Sequence, residues 1–207
     1  MAAKRLLGTL VALLFASTAL AQVNELSVTF GRTFVSTQTI LAGPSSGNPI
    51  HFGREETLGF DYAHFLTSKK IFAFHAELPV AIYPRMDLNT PIGDTIPTDI
   101  GALFVTPSLR MNIFGGDSVT PWVSVGGGYG RFREAPSNNF FGTNPGPKGT
   151  NTGVLQMGAG LDTWFWSRWG FRAEFRDFYS GEPALNVDTG RSRMHNYYVG
   201  AGVIHRF

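Results

Sequence analysis

His195, Asp188 and Ser192 lie in one polar stretch, and they are the residue types of a general base, an orienting carboxylate and a nucleophile. An ordinary loop holds the same three types, so nothing beyond their proximity in sequence favours catalysis. Asp87, Asp94 and Asp99 are too dispersed for a calcium loop. The absence of cysteine excludes a thiolate metal site and a Cys nucleophile, and no two histidines have the spacing of a helix or hairpin ligand pair. Gly126-Gly127-Gly128-Tyr129-Gly130 lacks the Lys and the following helix that a phosphate cradle requires, so it reads as a strand of small side chains. No catalytic group, cofactor or metal is expected. The charges that do follow a pattern are the acids Glu25, Asp61, Glu77, Asp162 and Glu174 and the bases Arg110, Arg172, Arg176 and Arg206, which share one parity within their segments. Five acids and four arginines on one face are suited to neutralising each other.

The elements that position them have a period of two. From Phe72 to Ile82 every alternate residue (Phe72, Phe74, Ala76, Leu78, Val80, Ile82) is apolar, while the interleaved set is mixed. This is an extended strand with one face in an apolar medium. The pattern recurs with Leu26, Val28 and Phe30; with Leu58, Phe60 and Tyr62; and with Leu103, Val105, Leu109, Met111 and Ile113. It returns with Val123, Val125 and Tyr129, with Leu155 to Phe165, with Phe171 to Phe175, and with Tyr197 to Phe207, giving eight strands. Short connections (67–70, 114–121, 166–170) alternate with long ones (35–54, 84–98, 133–152, 180–193) that are rich in Gly, Pro, Asn and Ser. All short turns therefore fall at one end of the sheet and all long loops at the other. The predicted fold is all-β: an eight-stranded antiparallel up-and-down transmembrane β-barrel with the charged parity facing the lumen. A tight turn at 166–170 sets Gly160 opposite Glu174 and Gly158 opposite Arg176, so that small residues make room for large ones.

Composition agrees with this reading. Charged residues are only 15% of the 207, with 25 Gly and 18 Phe, whereas an average soluble domain is about 25% charged. Met1 to Arg5 is basic, Leu6 to Ala16 is an apolar run, and Ala19-Leu20-Ala21 is a small-x-small site, so residues 1–21 read as a cleaved signal peptide and 22–207 as the barrel. Removing Lys4 and Arg5 with the leader turns 17 bases against 15 acids into 15 of each, which disfavours a nucleic-acid partner. All four Trp, Trp122, Trp164, Trp166 and Trp169, lie at or beside the short turns, as an aromatic girdle at a membrane interface would.

The leader, the eight alternating segments and the terminal Gly200-Ala201-Gly202-Val203-Ile204-His205-Arg206-Phe207 resemble the small outer-membrane β-barrel family of Gram-negative bacteria, of the OmpA/OmpX transmembrane type. The resemblance implies an outer-membrane bilayer around the protein. It also implies recognition of the last strand by the barrel assembly machinery through Gly202, position 205 and the terminal Phe207. His205 stands where that family usually has an apolar residue. Barrels similar to this one include a lipid A deacylase with a His-x-Ser signature. None of His51, His64, His75, His195 or His205 is followed two residues later by Ser, and no signature of a lipid A palmitoyltransferase maps onto the chain. Eight strands enclose an interior that side chains fill, so no bulk pore is expected. What remains is a non-enzymatic, structural, adhesive or surface-interaction role through the long loops, with an extracellular ligand or host surface as partner. A lipid-modifying enzyme and a narrow channel are the alternatives.

Overall fold

The structure is a computed structural model that describes residues 24–41, 46–91, 96–114, 118–135, 138–139, 142–143 and 149–207. The leader lies outside the described residues, as does Asp94. The strands are β1 (Asn24–Val35), β2 (Gln38–Thr39), β3 (Pro49–Phe52), β4 (Arg54–Lys69), β5 (Phe72–Asn89), β6 (Asp99–Val105), β7 (Ser108–Ile113), β8 (Val119–Glu134), β9 (Asn138–Asn139), β10 (Gly142–Thr143), β11 (Thr150–Trp164), β12 (Trp169–Gly181) and β13 (Arg193–Arg206). Every pairing is antiparallel. β1 pairs with β4, β4 with β5, β5 with β6 and β7, these with β8, and so on through β11 and β12 to β13. β13 then returns to β1, where Asn24 and Phe207 exchange two backbone hydrogen bonds of 3.0 and 3.2 Å, and the ring closes.

β6 and β7 are one interrupted wall strand, so the ring has eight. The register on β5 runs from Val80↔Val105 to Glu77↔Ser108 without a slip, and on β8 from Val105↔Tyr129 to Ser108↔Gly126. Pro107 lacks the N–H that would continue the ladder. The Thr106 N–H still reaches the Pro79 carbonyl at 3.1 Å, and the Pro107 carbonyl accepts from Gly127 at 3.1 Å.

Alternation sorts the two faces as the pleat requires. Leu26, Val28, Phe30, Leu58, Phe60, Leu78, Leu109, Val123, Val125, Leu155, Met157, Leu161, Phe171, Phe175, Val199 and Val203 point outward and are exposed. A contiguous apolar wall of this extent suits hydrocarbon, not water. The inward parity is buried. β11 and β12 pair Gly158 with Arg176 and Gly160 with Glu174, as the short turn predicts. A side chain at Gly160 would collide with the Trp122 ring and with the Ala173 carbonyl, so only glycine lets the indole lie against that wall.

Candidate functional site

The inner wall holds two fillings stacked along the barrel axis. Toward the short turns, Arg110, Arg172 and Arg176 are almost completely buried, with Glu25, Asp61, Glu77, Asp162 and Glu174 around them. Arg172 grips Asp162 with two hydrogen bonds of 2.8 Å and reaches Asp61 at 3.4 Å across the lumen. Arg176 donates to Glu174 at 2.9 Å, Asp61 at 3.1 Å and Glu77 at 3.0 Å, so one guanidinium joins three strands. Arg110 donates to Glu25 and, at 3.4 Å, to Glu77. Glu25 also accepts from Arg206 at 2.9 Å. Hydroxyls complete the shell: Ser27 donates to Asp61 at 3.1 Å, Thr29 to Glu174 at 2.7 Å, and Tyr198 to Thr29 at 2.8 Å. Burial of this many ions is tolerable only because each carboxylate meets a guanidinium and a further donor or a second guanidinium.

Toward the long loops the same parity turns apolar. Tyr83, Phe104, Phe132 and Phe178 are buried, with Phe104 stacked on Phe178 at 4.9 Å between ring centres and edge-on to Phe132 at 5.7 Å. Ile40, Ile50, Ile96 and Leu185, from three of the long connections, fold back onto this cluster and cap it. The sequence reading expected a charged lumen and missed this upper plug. Its signal was present in Tyr83 and Phe104, which share the inward parity of Glu77 and Arg110.

No family model and no curated protein matches the sequence. Solved structures do match in shape. The outer membrane protein OprG from Pseudomonas aeruginosa superposes with a TM-score of 0.57 at 15% identity, over 90% of this chain and 97% of that one. The outer membrane protein AlkL, solved in DMPC bilayers, gives 0.55 at 16% identity over 93% and 94%. Neisserial surface protein A gives 0.52 at 11% identity over 89% and 97%. The chain has the fold of the small outer-membrane β-barrels. In the small outer-membrane barrels the short turns face the periplasm and the long loops the exterior, and by that convention the short-turn end, with the charged filling, is called here the periplasmic half and the long-loop end, with the apolar plug, the outer half.

Two of the four tryptophans depart from the interfacial girdle expected of them. Trp122 is 1% exposed and sits inside the lumen. Its Nε1 donates to Asp162 at 3.1 Å, and its ring receives Arg172 and Arg176, each 5.0 Å from the centroid, and Arg110 at 5.8 Å. Trp164 also has inward parity and carries the Arg206 guanidinium on its face at 3.4 Å. Parity is the physical reason: if Val123 and Val125 face lipid, Trp122 cannot. Trp166 and Trp169 are exposed beside the short turn between β11 and β12. His205 tilts against Trp169 at 4.4 Å and stacks near Phe207 at 6.0 Å, so the last outward residues lie beside Trp169, while Gly202 lies on the inner parity.

The loop triad does not assemble. His195 Nδ1 lies 2.7 Å from Asp177 on the adjacent strand, and Asp188 instead accepts from the Gly190 N–H at 2.7 Å. Asp177 escaped notice because it stands on the outward parity, between Phe175 and Tyr179. Asp87 and Asp99 prove to be cross-strand partners, both within reach of Arg85, at 3.2 and 3.5 Å. Among the described residues no three His, Asp or Glu are arranged to hold a metal ion.

Proposed function

We propose that the chain is an integral outer-membrane protein whose barrel is a closed scaffold for its exterior loops, with a structural, adhesive or surface-interaction role and no bulk conductance. The observation that carries this reading is the double filling of the lumen. Trp122, Arg110 and Arg172 block the periplasmic half, Phe104, Phe132, Phe178 and the loop residues Ile40 and Ile50 block the outer half, and each is at most 1% exposed. A fixed pore would leave inward side chains wetted. Loops anchored through Ile40, Ile50, Ile96 and Leu185 present a fixed outer surface, and binding residues commonly sit on loops held by a rigid scaffold. Catalysis has less support, because His195 and Asp177 come together and no described residue places a nucleophile in a hydrogen bond with that imidazole.

Under the same reading residues 1–21 are a signal peptide removed before Gln22, and Phe207 with Gly202 and His205 forms the segment that the assembly machinery reads. The chain has no cysteine, which gives a clean test of orientation. Arg191→Cys in the last loop should react with a membrane-impermeant maleimide on intact cells, whereas Arg168→Cys in a short turn should react only after permeabilisation. Purified protein in planar bilayers should show no steady conductance. Labelling of both positions from outside, or a stable open channel, would overturn the reading.

A further inference from the structure

The first and last of the long connections are clasped together over the apolar plug, and the clasp is short of donors. Gln38 on β2 shares the parity of Ile40, so it is carried to the underside of the cap and is 2% exposed. The stretch from Glu182 to Gly190 turns back on itself through two left-handed residues, Asn186 at φ 61° and Gly190 at φ 65°. The turn returns Thr189 to Glu182, whose Oε2 accepts from the Thr189 hydroxyl at 2.8 Å. A second tie joins the two connections, because the Leu41 N–H donates to the Asp188 carbonyl at 2.8 Å.

At the centre of the clasp two buried oxygens have no donor among the described residues. One is Glu182 Oε1 and the other is Gln38 Oε1, and the Gln38 amide lies against that same Glu182 carboxylate. Among the described residues no cation comes within ion-pair distance of Glu182, and Arg191 and Asp188 act on it with opposite charges. Burial raises the pKa of its carboxyl, as expected of an acid without a counter-ion in contact.

Buried acceptors are rarely left without a partner. Two of them on neighbouring side chains, one anionic and with a further carboxylate close by, are suited to a positive centre. The described residues bring no three acids or imidazoles together, but a hard cation does not need them. Calcium takes carboxylate, amide carbonyl and water oxygens in a flexible shell, whereas magnesium demands a near-ideal octahedron and gives up its waters reluctantly. We infer that Gln38 and Glu182 form a calcium site, with Glu182 Oε1 and Gln38 Oε1 as ligands and Asp188 as the second anion, and that the ion locks the first long connection to the last. The inference goes beyond the scaffold reading, since it needs the loop geometry alone and holds whatever the loops bind.

The test uses the full barrel refolded in dodecyl maltoside and stripped of metal, with the folding of every variant checked by its slower migration after boiling. Equilibrium dialysis against radiolabelled calcium should find one saturable site with a Kd of about 0.1–1 mM, the range of extracellular calcium modules. Hydrogen exchange in 36–41 and 182–191 should slow when the site is loaded. Glu182→Gln removes the anionic ligand at nearly constant shape and should weaken binding by about tenfold or more. Gln38→Glu adds ligand charge and should tighten binding by about threefold or more, a gain that a bridging water would not produce. Asp188→Asn, at an exposed position, should weaken binding severalfold and serves where a buried change prevents folding. Glu56→Gln, an exposed acid on β4, should leave the Kd unchanged, and magnesium should bind about tenfold more weakly than calcium. No saturable site below about 5 mM calcium, equal affinity for magnesium, a Glu182→Gln or Asp188→Asn protein indistinguishable from wild type, or a folded Gln38→Glu protein that binds no more tightly would each overturn the proposal.

Discussion

The two halves of the lumen solve the same packing problem with opposite chemistry. In the periplasmic half, eight walls converge on Arg110, Arg172 and Arg176, and specificity comes from directional bonds between strands distant in sequence, such as Arg176 with Asp61 and Glu77. In the outer half, Phe104, Phe132 and Phe178 fill space without direction, and the loops can settle onto them through Ile40 and Leu185. Buried ion pairs stabilise weakly relative to well-packed apolar groups, yet removing one partner is expensive. The charged half is therefore expected to fix strand register and the apolar half to accommodate the loops.

The largest effect should come from breaking the charged half at its centre. Arg176→Met leaves Asp61, Glu77 and Glu174 short of a cation, and the expected loss is roughly 3–5 kcal/mol in urea unfolding from lipid vesicles. A near-neutral result would mean that water replaces the guanidinium and that the halves do not differ as argued. Phe104→Ala in the outer half should cost about 3 kcal/mol, and should also raise protease cleavage in the loops that rest on it. The lipid face offers an outside reference: Leu78→Arg places a charge near mid-bilayer and should cost roughly 2–4 kcal/mol. If it is neutral, that face is wet.

Coupling separates the halves more finely. Arg110→Met with Glu77→Gln should lose less than the sum of the single changes, by about 1–3 kcal/mol, while Arg110→Met with Phe104→Ala should be additive within about 0.5 kcal/mol. Pairing Arg110 with Asp61 is the weaker test, because Asp61 is held by Arg172 and Arg176. The smallest effect belongs to the loops. Partial burial raises the pKa of the Glu182 carboxyl, with the Thr189 hydroxyl opposing the rise. A raised folded pKa means that the folded state holds the proton longer, so stability falls as pH climbs from the usual Glu range through the folded value and is level above it. Glu182→Gln should flatten that decline, read as unfolding midpoints across an acid-to-neutral series; an unchanged slope would assign the decline elsewhere.

Much of the fold was legible because a single parity carries it. Once Leu78 faces lipid, Glu77 must face inward, and the brief 166–170 turn then fixes Gly158 against Arg176. What escaped was whatever parity alone cannot rank. Trp122 was placed by its nearness to a turn although its parity with Ser124 put it inside. The apolar plug was hidden because an inward Phe104 between outward Leu103 and Val105 makes a run with no alternation to read. Partners such as His195 with Asp177, or Asp87 with Asp99, depend on strand neighbours that no local pattern names.

Ring closure has a consequence in time. The wall is sealed by β1 against β13, ending with Asn24 and Phe207 bonded to each other. Until those strands meet, β1 and β13 each present a row of unpaired backbone groups, and every such group costs several kcal/mol in hydrocarbon. Contacts between the two ends of a chain are also the slowest for it to find. No partly made sheet is then a stable guest of the bilayer. The emerging chain must be kept from the membrane, or its edges shielded, until β13 exists to complete the circle.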